Sequence, residues 1–582
     1  MENRKVLLSV DNLHVNFRVR GRTLSAIRGI SLDFYENESV AIVGESGSGK
    51  SVFTKTFAGM LETNGYISEG SIMFNDEELA DTKVNLDSNA RKLIASAWEK
   101  LNKYSQLEFG AVTYKAMLEL ESEKKARSYL SAEEEQATTV KIDDLNFRRT
   151  ELFNQQLAVD KKHEKARYKE LSAQIAAMDG EIKKLEKERE AAIAAHKQAV
   201  KNDTAYNQEF DAKMATLKAR YATEIVKEIT EDTRLRNEVI AKEIYLSVGR
   251  FPMRKRVKFI NQLLESFKKA MSMGLDLNED NVRNSIFDQV VFRVKYLDET
   301  EQVLHGTCVL NLAKVKYSKD WTKIRGGKIA TVFQDPMTSL NPIITIGKQI
   351  TSVILKHQNC SELEARERAL TMMKKVGIPN AEARFDDYPF QYSGGMRQRI
   401  VIAIALSCQP KILICDEPTT ALDVTIQAQI LKLIKDLQKE FNYTIVFITH
   451  DLGVVANIAD RVAVLYGGQV VELGTCEEVF YDPRHPYTWA LLSSLPQLAQ
   501  RNTKLYSITG TPPSLYNKIV GDAFAPRNPY CLQIDTMKEP PMFQVSETHF
   551  AKTWLLDPRA PKVEKPEAIQ NIHEKLVDAF NI

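Results

Sequence analysis

The glycine-rich loop Gly44-Glu45-Ser46-Gly47-Ser48-Gly49-Lys50-Ser51 stands far along the chain from the acidic groups its chemistry needs. It follows the short apolar run Val40-Ala41-Ile42-Val43, which reads as a buried core strand. A helical stretch from about Lys50 to Leu61 comes after it. Strand, Gly-x-x-x-x-Gly-Lys-Ser and helix together make a phosphate-binding loop. The glycines let backbone N–H groups turn onto phosphates, and the helix N-terminus adds positive potential. On this reading Lys50 reaches the β- and γ-phosphates and the Ser51 hydroxyl holds Mg²⁺. The acidic partners, Asp416-Glu417, close the apolar run Ile412-Leu413-Ile414-Cys415. The fold must therefore close one site around something large inserted between these segments.

The remaining composition narrows the setting. The 582 residues leave room for roughly three or four domains. Hydrophobic content of 43% and charged content of 27% suit a soluble globular chain. A net charge of +2 supplies no global field for nucleic acid. The six cysteines form no Cys-x-x-Cys pair and read as reduced thiols of an intracellular protein. Residues Met1 to Lys5 lead into a strand rather than an apolar signal core. Apolar runs such as Ile400 to Leu406 fall short of the ~20 residues a membrane helix needs. A role at a membrane would need other chains that span it.

Strand patterns occupy Val6 to Val10, Leu32 to Phe34 and Ser71 to Phe74. From about Val84 to Lys319 the character changes. No proline occurs between Glu151 and Ile244, and Leu171, Ile175, Met178, Ile182 and Leu185 step by four and three. Phe210, Met214, Leu217 and Tyr221 repeat the spacing, with turn chemistry between at Lys201 to Asn207. This predicts an antiparallel helical hairpin over about 145–250, with arms of ~45 residues reaching ~65 Å. Strand character is expected again from Val309 to Tyr317, and the core pattern resumes at Lys328 to Phe333. A turn-rich C-terminal region begins near Arg501, and Glu567 to Ile582 suits a short amphipathic helix.

Several motifs carry the chemistry further. Asp416 would orient Mg²⁺, and Glu417 would polarise an attacking water, because phosphoryl transfer asks mainly for positioning and electrostatics. Pro418-Thr419-Thr420-Ala421-Leu422-Asp423 follows at once. Together with Tyr392-Ser393-Gly394-Gly395-Met396-Arg397-Gln398, Phe333-Gln334-Asp335-Pro336 and Ile448-Thr449-His450-Asp451, these residues resemble an ABC-transporter nucleotide-binding subunit. The resemblance implies that Gln334 senses Mg²⁺ and touches membrane subunits. It implies that Ser393, Gly394 and Gly395, with Gln398 in the same motif, serve the γ-phosphate held by another subunit. It implies that Asp423 lies in the loop between two cassettes, and that His450 contacts the γ-phosphate. Phe17 is the candidate for stacking on adenine. Tyr392 replaces the usual leucine.

Narrower likenesses point to the oligopeptide/dipeptide permease group. Gly-Lys-Ser-Val ending at Val52, Asp335 to Pro342, Ser393 to Arg399, Asp416 to Thr425 and His485-Pro486-Tyr487-Thr488 resemble that group, and Val52 with Met337-Thr338 resembles its D-type ATP-binding subunit rather than the F-type partner. The resemblance covers roughly 1–83 and 319–556. It implies an ATP- and Mg²⁺-dependent ATPase paired with an F-type ATPase subunit. Two transmembrane permease subunits and, indirectly, an extracytoplasmic peptide-binding protein complete the expected assembly, with no nucleic acid. The chain would be peripheral, at the cytoplasmic face of the membrane. Many such subunits carry four cysteines for an iron–sulfur cluster in the C-terminal region. Here Asp522, Asn528, Asp535 and Thr553 stand in those places, so no cluster is expected.

The rival reading is a chromosome-maintenance or DNA-repair ATPase split by a coiled coil. In that class, as the resemblance has it, the split follows the Gln-containing loop; here Gln334 comes after the insertion. The expected fold is α/β: a RecA-like P-loop core with an antiparallel β subdomain and a helical subdomain. The expected domains are a split nucleotide-binding domain (1–83 and 319–500), an insertion (84–318) and a C-terminal domain (501–582).

Overall fold

The computed structural model describes residues 5–75, 81–159, 163–315, 318–420, 422–495, 508–517, 519–570 and 572. The chain divides into two compact units, Met1–Asp76 with Leu310–Ile582, and Glu77–Val309.

The first unit opens with a hairpin. β1 (Val6–Val19) and β2 (Arg22–Tyr35) pair antiparallel, with Val19 opposite Arg22. The two-residue turn needs positive φ at both positions, and Arg20 (47°) and Gly21 (79°) supply it. β3 (Ser39–Val43) is buried at all five positions. The helix Lys50–Phe57 follows the glycine loop and stops short of the expected Leu61. Gly59 turns left-handed (φ 65°) and the Met60 N–H donates to Lys55 O, which closes the helix end. β4 (Gly65–Phe74) pairs with the free edge of β1.

The second unit has a core of its own. β5 (Asp81–Asn85), β6 (Arg293–Glu299) and β7 (Val303–Asn311) form an antiparallel group with β7 central. Helices Ser88–Phe109, Glu231–Val248 and Met253–Ser272 enclose Leu101, Ile240, Ile244, Leu263 and Phe267. Arg293 and Glu243, 1% and 2% exposed, form an ion pair at 2.7 Å in this interior. The insertion is therefore not mainly the hairpin expected over 145–250. Asp203 does end the helix Lys165–Asn202 and caps the next, Thr204–Glu224, through the Tyr206 N–H. Yet Lys165–Asn202 packs chiefly on Ala132–Ala158, and Thr204–Glu224 on Ala111–Arg127. Gln156 donates to Ser172 (2.6 Å), and Arg189 pairs with Glu135 across the first of these seams. A heptad stripe demands a helical partner without saying which one. The helix Glu231–Val248, placed by sequence in an arm, lies in the core, where Ile240, Ile244 and Leu246 join the cluster of Leu263 and Phe267.

Strand character returns earlier than the expected Val309. β7 ends at Asn311 and a 3₁₀ turn, Leu312–Lys314, follows; positions 316–317 fall outside the described residues. In the first unit, Leu310 and Asn311 pair antiparallel with Phe74 and Met73. The central sheet then builds from β8 (Ile329–Val332), β9 (Ile412–Asp416), β10 (Thr444–Thr449), β11 (Arg461–Tyr466) and β12 (Gln469–Thr475). Two short strands, β13 (Phe543–Gln544) and β14 (Phe550–Ala551), extend one edge. The order is β13-β14-β12-β11-β3-β10-β9-β8, parallel from β11 to β8. A helical layer, including Ile346–His357, Glu362–Lys375 and Gly394–Leu406, packs Ile350, Met373, Ile400 and Ile402 into one apolar cluster. The C-terminal region is built of 3₁₀ turns at Ala525–Arg527, Gln533–Thr536 and Trp554–Leu556. The start expected near Arg501 and most of the helix expected over 567–582 fall outside the described residues. Among the described residues no helix is long and apolar enough to cross a membrane.

Candidate nucleotide site

Parallel strands deliver the site. β3, β9 and β10 are hydrogen-bonded neighbours, so the loops after Val43, Asp416 and Thr449 emerge at the same sheet edge. This juxtaposition closes the sequence gap between the glycine loop and the two carboxylates.

Glycine is needed at the two ends of the loop. A Cβ on Gly44 (φ 152°) would lie 2.2 Å from Leu465 O, and one on Gly49 (φ 104°) 3.0 Å from Ala26 O. Lys50 is 6% exposed, and its Nζ donates to Gly44 O (2.8 Å) and Glu45 O (3.0 Å). Burial pushes its pKa below the ordinary lysine value, against the pull of Glu417, Asp416 and Glu45. The Ser51 Oγ donates to Asp416 Oδ1 at 3.1 Å. Burial raises the Asp416 pKa, the Ser51 bond opposes it, and neighbouring Glu417 adds to it. The Ser48 Oγ is buried with no partner among the described residues.

Glu417 sits in the left-handed region (φ 47°), an uncommon place for a side chain of its length. Its N–H donates to Ile448 O at 3.0 Å, which holds the turn. Its Oε2 accepts from Gln334 Nε2 and Thr420 Oγ1, each at 3.1 Å. Its Oε1 lies 3.0 Å from His450 Nδ1; a carboxylate accepts, so Nδ1 carries the proton.

These groups share one cleft of about 800 Å³. Its polar lining is Ser46, Lys50, Gln334, Asp416, Glu417, His450, Glu62 and Asn64, with Gly47, Gly49, Ser51 and Val52. Its apolar lining is Phe17, Val19, Leu24, Ala26 and Leu515. Phe17 is 8% exposed and its ring lies over Gly65.

Other sequence candidates lie elsewhere. Ser393 and Gly394 are exposed at the start of the helix Gly394–Leu406, where the Ser393 Oγ accepts from the Met396 N–H. A Cβ on Gly394 would meet nothing within 4 Å. Gly395 abuts Ile426. Gln398 is 1% exposed, its Nε2 without a partner among the described residues, so its side chain faces the interior rather than the helix terminus. Asp423 is exposed and caps the helix Val424–Phe441 through the Ile426 N–H; Ala421 falls outside the described residues. None of these five residues lines the cleft.

Sequence reasoning missed Thr420, whose hydroxyl was readable within its motif. It also missed Leu515, which no local signal marks, and Arg527, whose guanidinium bonds the Glu45 carboxylate. The four C-terminal positions where cysteines were sought carry side-chain oxygens that accept backbone N–H groups. Asp522 accepts from Phe524 (3.0 Å), Asn528 from Tyr530 (2.9 Å), Asp535 from Leu532 (2.7 Å) and Thr553 from Leu555 (3.3 Å).

Comparison with known proteins adds relatives. The profile of the ABC transporter family matches residues 27–269 and 294–420. That of the oligopeptide/dipeptide transporter C-terminal region matches 471–534. The oligopeptide transport ATP-binding protein AmiE of Streptococcus pneumoniae serotype 4 is 67% identical over 283 residues, 48% of this chain and 80% of that protein. The oligopeptide transport ATP-binding protein OppD of Bacillus subtilis is 59% identical over 286 residues, 49% of this chain and 79% of that protein. The dipeptide transport ATP-binding protein DppD of Lactococcus lactis subsp. cremoris is 57% identical over 274 residues, 47% of this chain and 77% of that protein.

Proposed function

The chain belongs to the ABC transporter family, and we propose that it is the ATP-hydrolysing subunit that powers an importer of oligopeptides or dipeptides. The observation that carries the catalytic reading is the Glu417 carboxylate. It is held by Gln334, Thr420 and His450 in the cleft that Lys50 enters.

ATP is the substrate. Its triphosphate fits the loop, whose tight turn needs glycine at Gly44 and Gly49 and where Lys50 supplies a cation at the start of a helix. Its base fits the apolar lining that includes Phe17. Ser51, Asp416 and Gln334 offer the oxygens that suit Mg²⁺, and the Ser51–Asp416 contact sets two of them side by side. When bound, Mg²⁺ offsets negative charge on the phosphates. Glu417 Oε orients a water in line with the γ-phosphorus and takes its proton as the bond to the ADP oxygen breaks. The Nδ1–H of His450 fixes that carboxylate beside the place of the γ-phosphate.

Ser393, Gly394 and Gly395 form a helix N-terminus outside this chain's cleft. That exposure supports a role in the site of a second, F-type ATPase subunit, with Asp423 at the same junction. Gln398, buried beneath, supports the helix rather than touching nucleotide. ATP would close such a dimer and hydrolysis reopen it.

Two membrane permease subunits are the expected load, reached indirectly by a peptide-binding protein outside the cell. A surface for them is at hand: Met337 (61% exposed), Ile343 (81%) and Phe390 (70%) are large apolar side chains left in solvent. Arg397 joins their segments, donating to Pro389 O (2.8 Å) and contacting Met337 Sδ. On this reading the chain is peripheral at the cytoplasmic membrane face. The chromosome-maintenance reading is not favoured, since the relatives at 57% to 67% identity are transport proteins.

The test is purification of the chain with its genomic neighbours, followed by peptide-stimulated ATP turnover in vesicles. Co-purification with permease subunits and stimulation by peptide are expected. Stimulation by DNA instead would overturn the reading.

A further inference from the structure

The phosphate loop is gripped from outside by the C-terminal region. Arg527 donates to the Glu45 carboxylate through both arms, Nη1 to Oε2 at 2.9 Å and Nη2 to Oε1 at 3.2 Å. The guanidinium is itself held: Nε donates to Thr509 O (3.1 Å) and Nη1 to Tyr466 Oη (3.1 Å). The Arg527 side chain is 5% exposed and Glu45 25%. The loop's backbone is caught at the same residue, since the Glu45 N–H donates to Tyr487 Oη at 2.8 Å. Tyr466, Tyr487 and Phe524 pack ring to ring at 4.5 to 5.3 Å, which leaves these donors and acceptors little freedom. A second contact reaches the cleft itself. Leu515 O accepts from the Ser25 N–H (3.0 Å), and Leu515 lines the cleft beside Leu24 and Ala26.

Glu45 is an awkward residue for a loop that receives a triphosphate. Its carboxylate is one of the charges felt by Lys50, and its carbonyl accepts from Lys50 Nζ. Unpaired, it would repel the polyanion and compete for the lysine. A forked, planar cation cancels the charge and fixes the carboxylate's direction together.

We propose that Arg527 is a positioning residue for nucleotide binding, through which the C-terminal region sets the ATP affinity of the phosphate loop. The proposal rests on the site being the ATP site argued above. Arg527 touches neither phosphate nor water; it acts through Glu45.

The test titrates the full-length chain with a fluorescent, non-hydrolysable ATP analogue and records thermal stability in parallel. Binding by the unsubstituted chain is the precondition, and its failure would overturn the ATP-site reading rather than this one. Arg527→Met should weaken binding about tenfold or more; in ATP turnover by the purified complex, KM for ATP should rise and kcat at saturation change far less. Arg527→Lys, which keeps the charge and loses the fork, should recover part of the affinity. Glu45→Gln removes the charge that needs cancelling, so Glu45→Gln with Arg527→Met should bind no worse than Glu45→Gln alone. Lys565→Met breaks another ion pair of this region, to Asp482 at 2.7 Å, and should leave affinity unchanged. Undiminished affinity in Arg527→Met, or an equal loss in Lys565→Met, would overturn the proposal. If Arg527→Met does not fold, Arg527→Lys against Glu45→Gln decides it by the same criterion.

Discussion

His450 Nδ1 lies 3.0 Å from Glu417 Oε1, although the two residues are 33 positions apart and close different strands. The contact follows from parallel pairing of β9 with β10, where Ile448 stands opposite Asp416. One residue beyond each strand end is then enough to bring carboxylate and imidazole together.

That geometry sets the first prediction. Glu417→Gln keeps the shape and a hydrogen-bond acceptor but cannot take a proton. ATP binding should persist while turnover at this site falls by a factor of roughly 10² or more. Single-turnover hydrolysis in the purified complex measures it; near-normal turnover would remove Glu417 from the role of base.

Lys50→Ala should act on binding. It removes a buried cation that now spends its hydrogens on Gly44 O and Glu45 O. Loss of a charge-assisted contact to phosphate is worth about 1.5–3 kcal/mol, or roughly tenfold to a hundredfold in affinity. Equilibrium titration with an ATP analogue should show the loss, and unchanged affinity would contradict the assigned role.

The insertion should be removable without losing the ATP site. Phe74 and Leu310 are antiparallel neighbours, so a short Asn-Gly turn can join the chain across residues 76–309. The core of the removed unit runs from Val84 to Leu304 and is satisfied within itself. The shortened chain should fold and bind ATP with affinity within about threefold of the parent. A folded product that binds no nucleotide would make the insertion part of the engine.

Asp522 should carry a pH dependence. Burial, with Asp535 nearby, raises its carboxyl to about 6, against a bond from the Phe524 N–H. A raised carboxyl binds its proton more tightly in the folded state, so stability is lost as pH rises from about 4 toward 6 and stays lower above. Asp522→Asn keeps the acceptor and removes the charge. It should raise thermal stability at pH 7.5, by ~1–3 kcal/mol, and change little at pH 4.5. An equal effect at both pH values would assign the change to packing.

The C-terminal region should hold no iron or sulfide. The oxygens at Asp522, Asn528, Asp535 and Thr553 are each engaged by a backbone N–H, and a cluster needs thiolates. Metal and sulfide analysis of anaerobically purified protein decides it; stoichiometric iron with a charge-transfer absorbance would refute it.

What the sequence determined by itself lies in contiguous stretches with a local mechanism. Gly44 to Ser51 had to be a strand-to-helix phosphate loop because only that backbone exposes its N–H groups. Ile412 to Glu417 had to be a buried strand ending in carboxylates. The tertiary structure alone decided what meets across long separations. Heptad spacing required a partner for Lys165–Asn202, and only the fold chose Ala132–Ala158 over the helix that follows. The apolar positions of Glu231–Val248 suit an arm or a core equally well, because periodicity records that a face is buried and not against what. Leu515 reaches the cleft, and Arg527 the loop residue Glu45, from a turn-rich segment with no periodicity at all. A bidentate contact between residues 482 positions apart leaves no local trace, because its energy depends on where two backbones end up and not on the residues beside either of them.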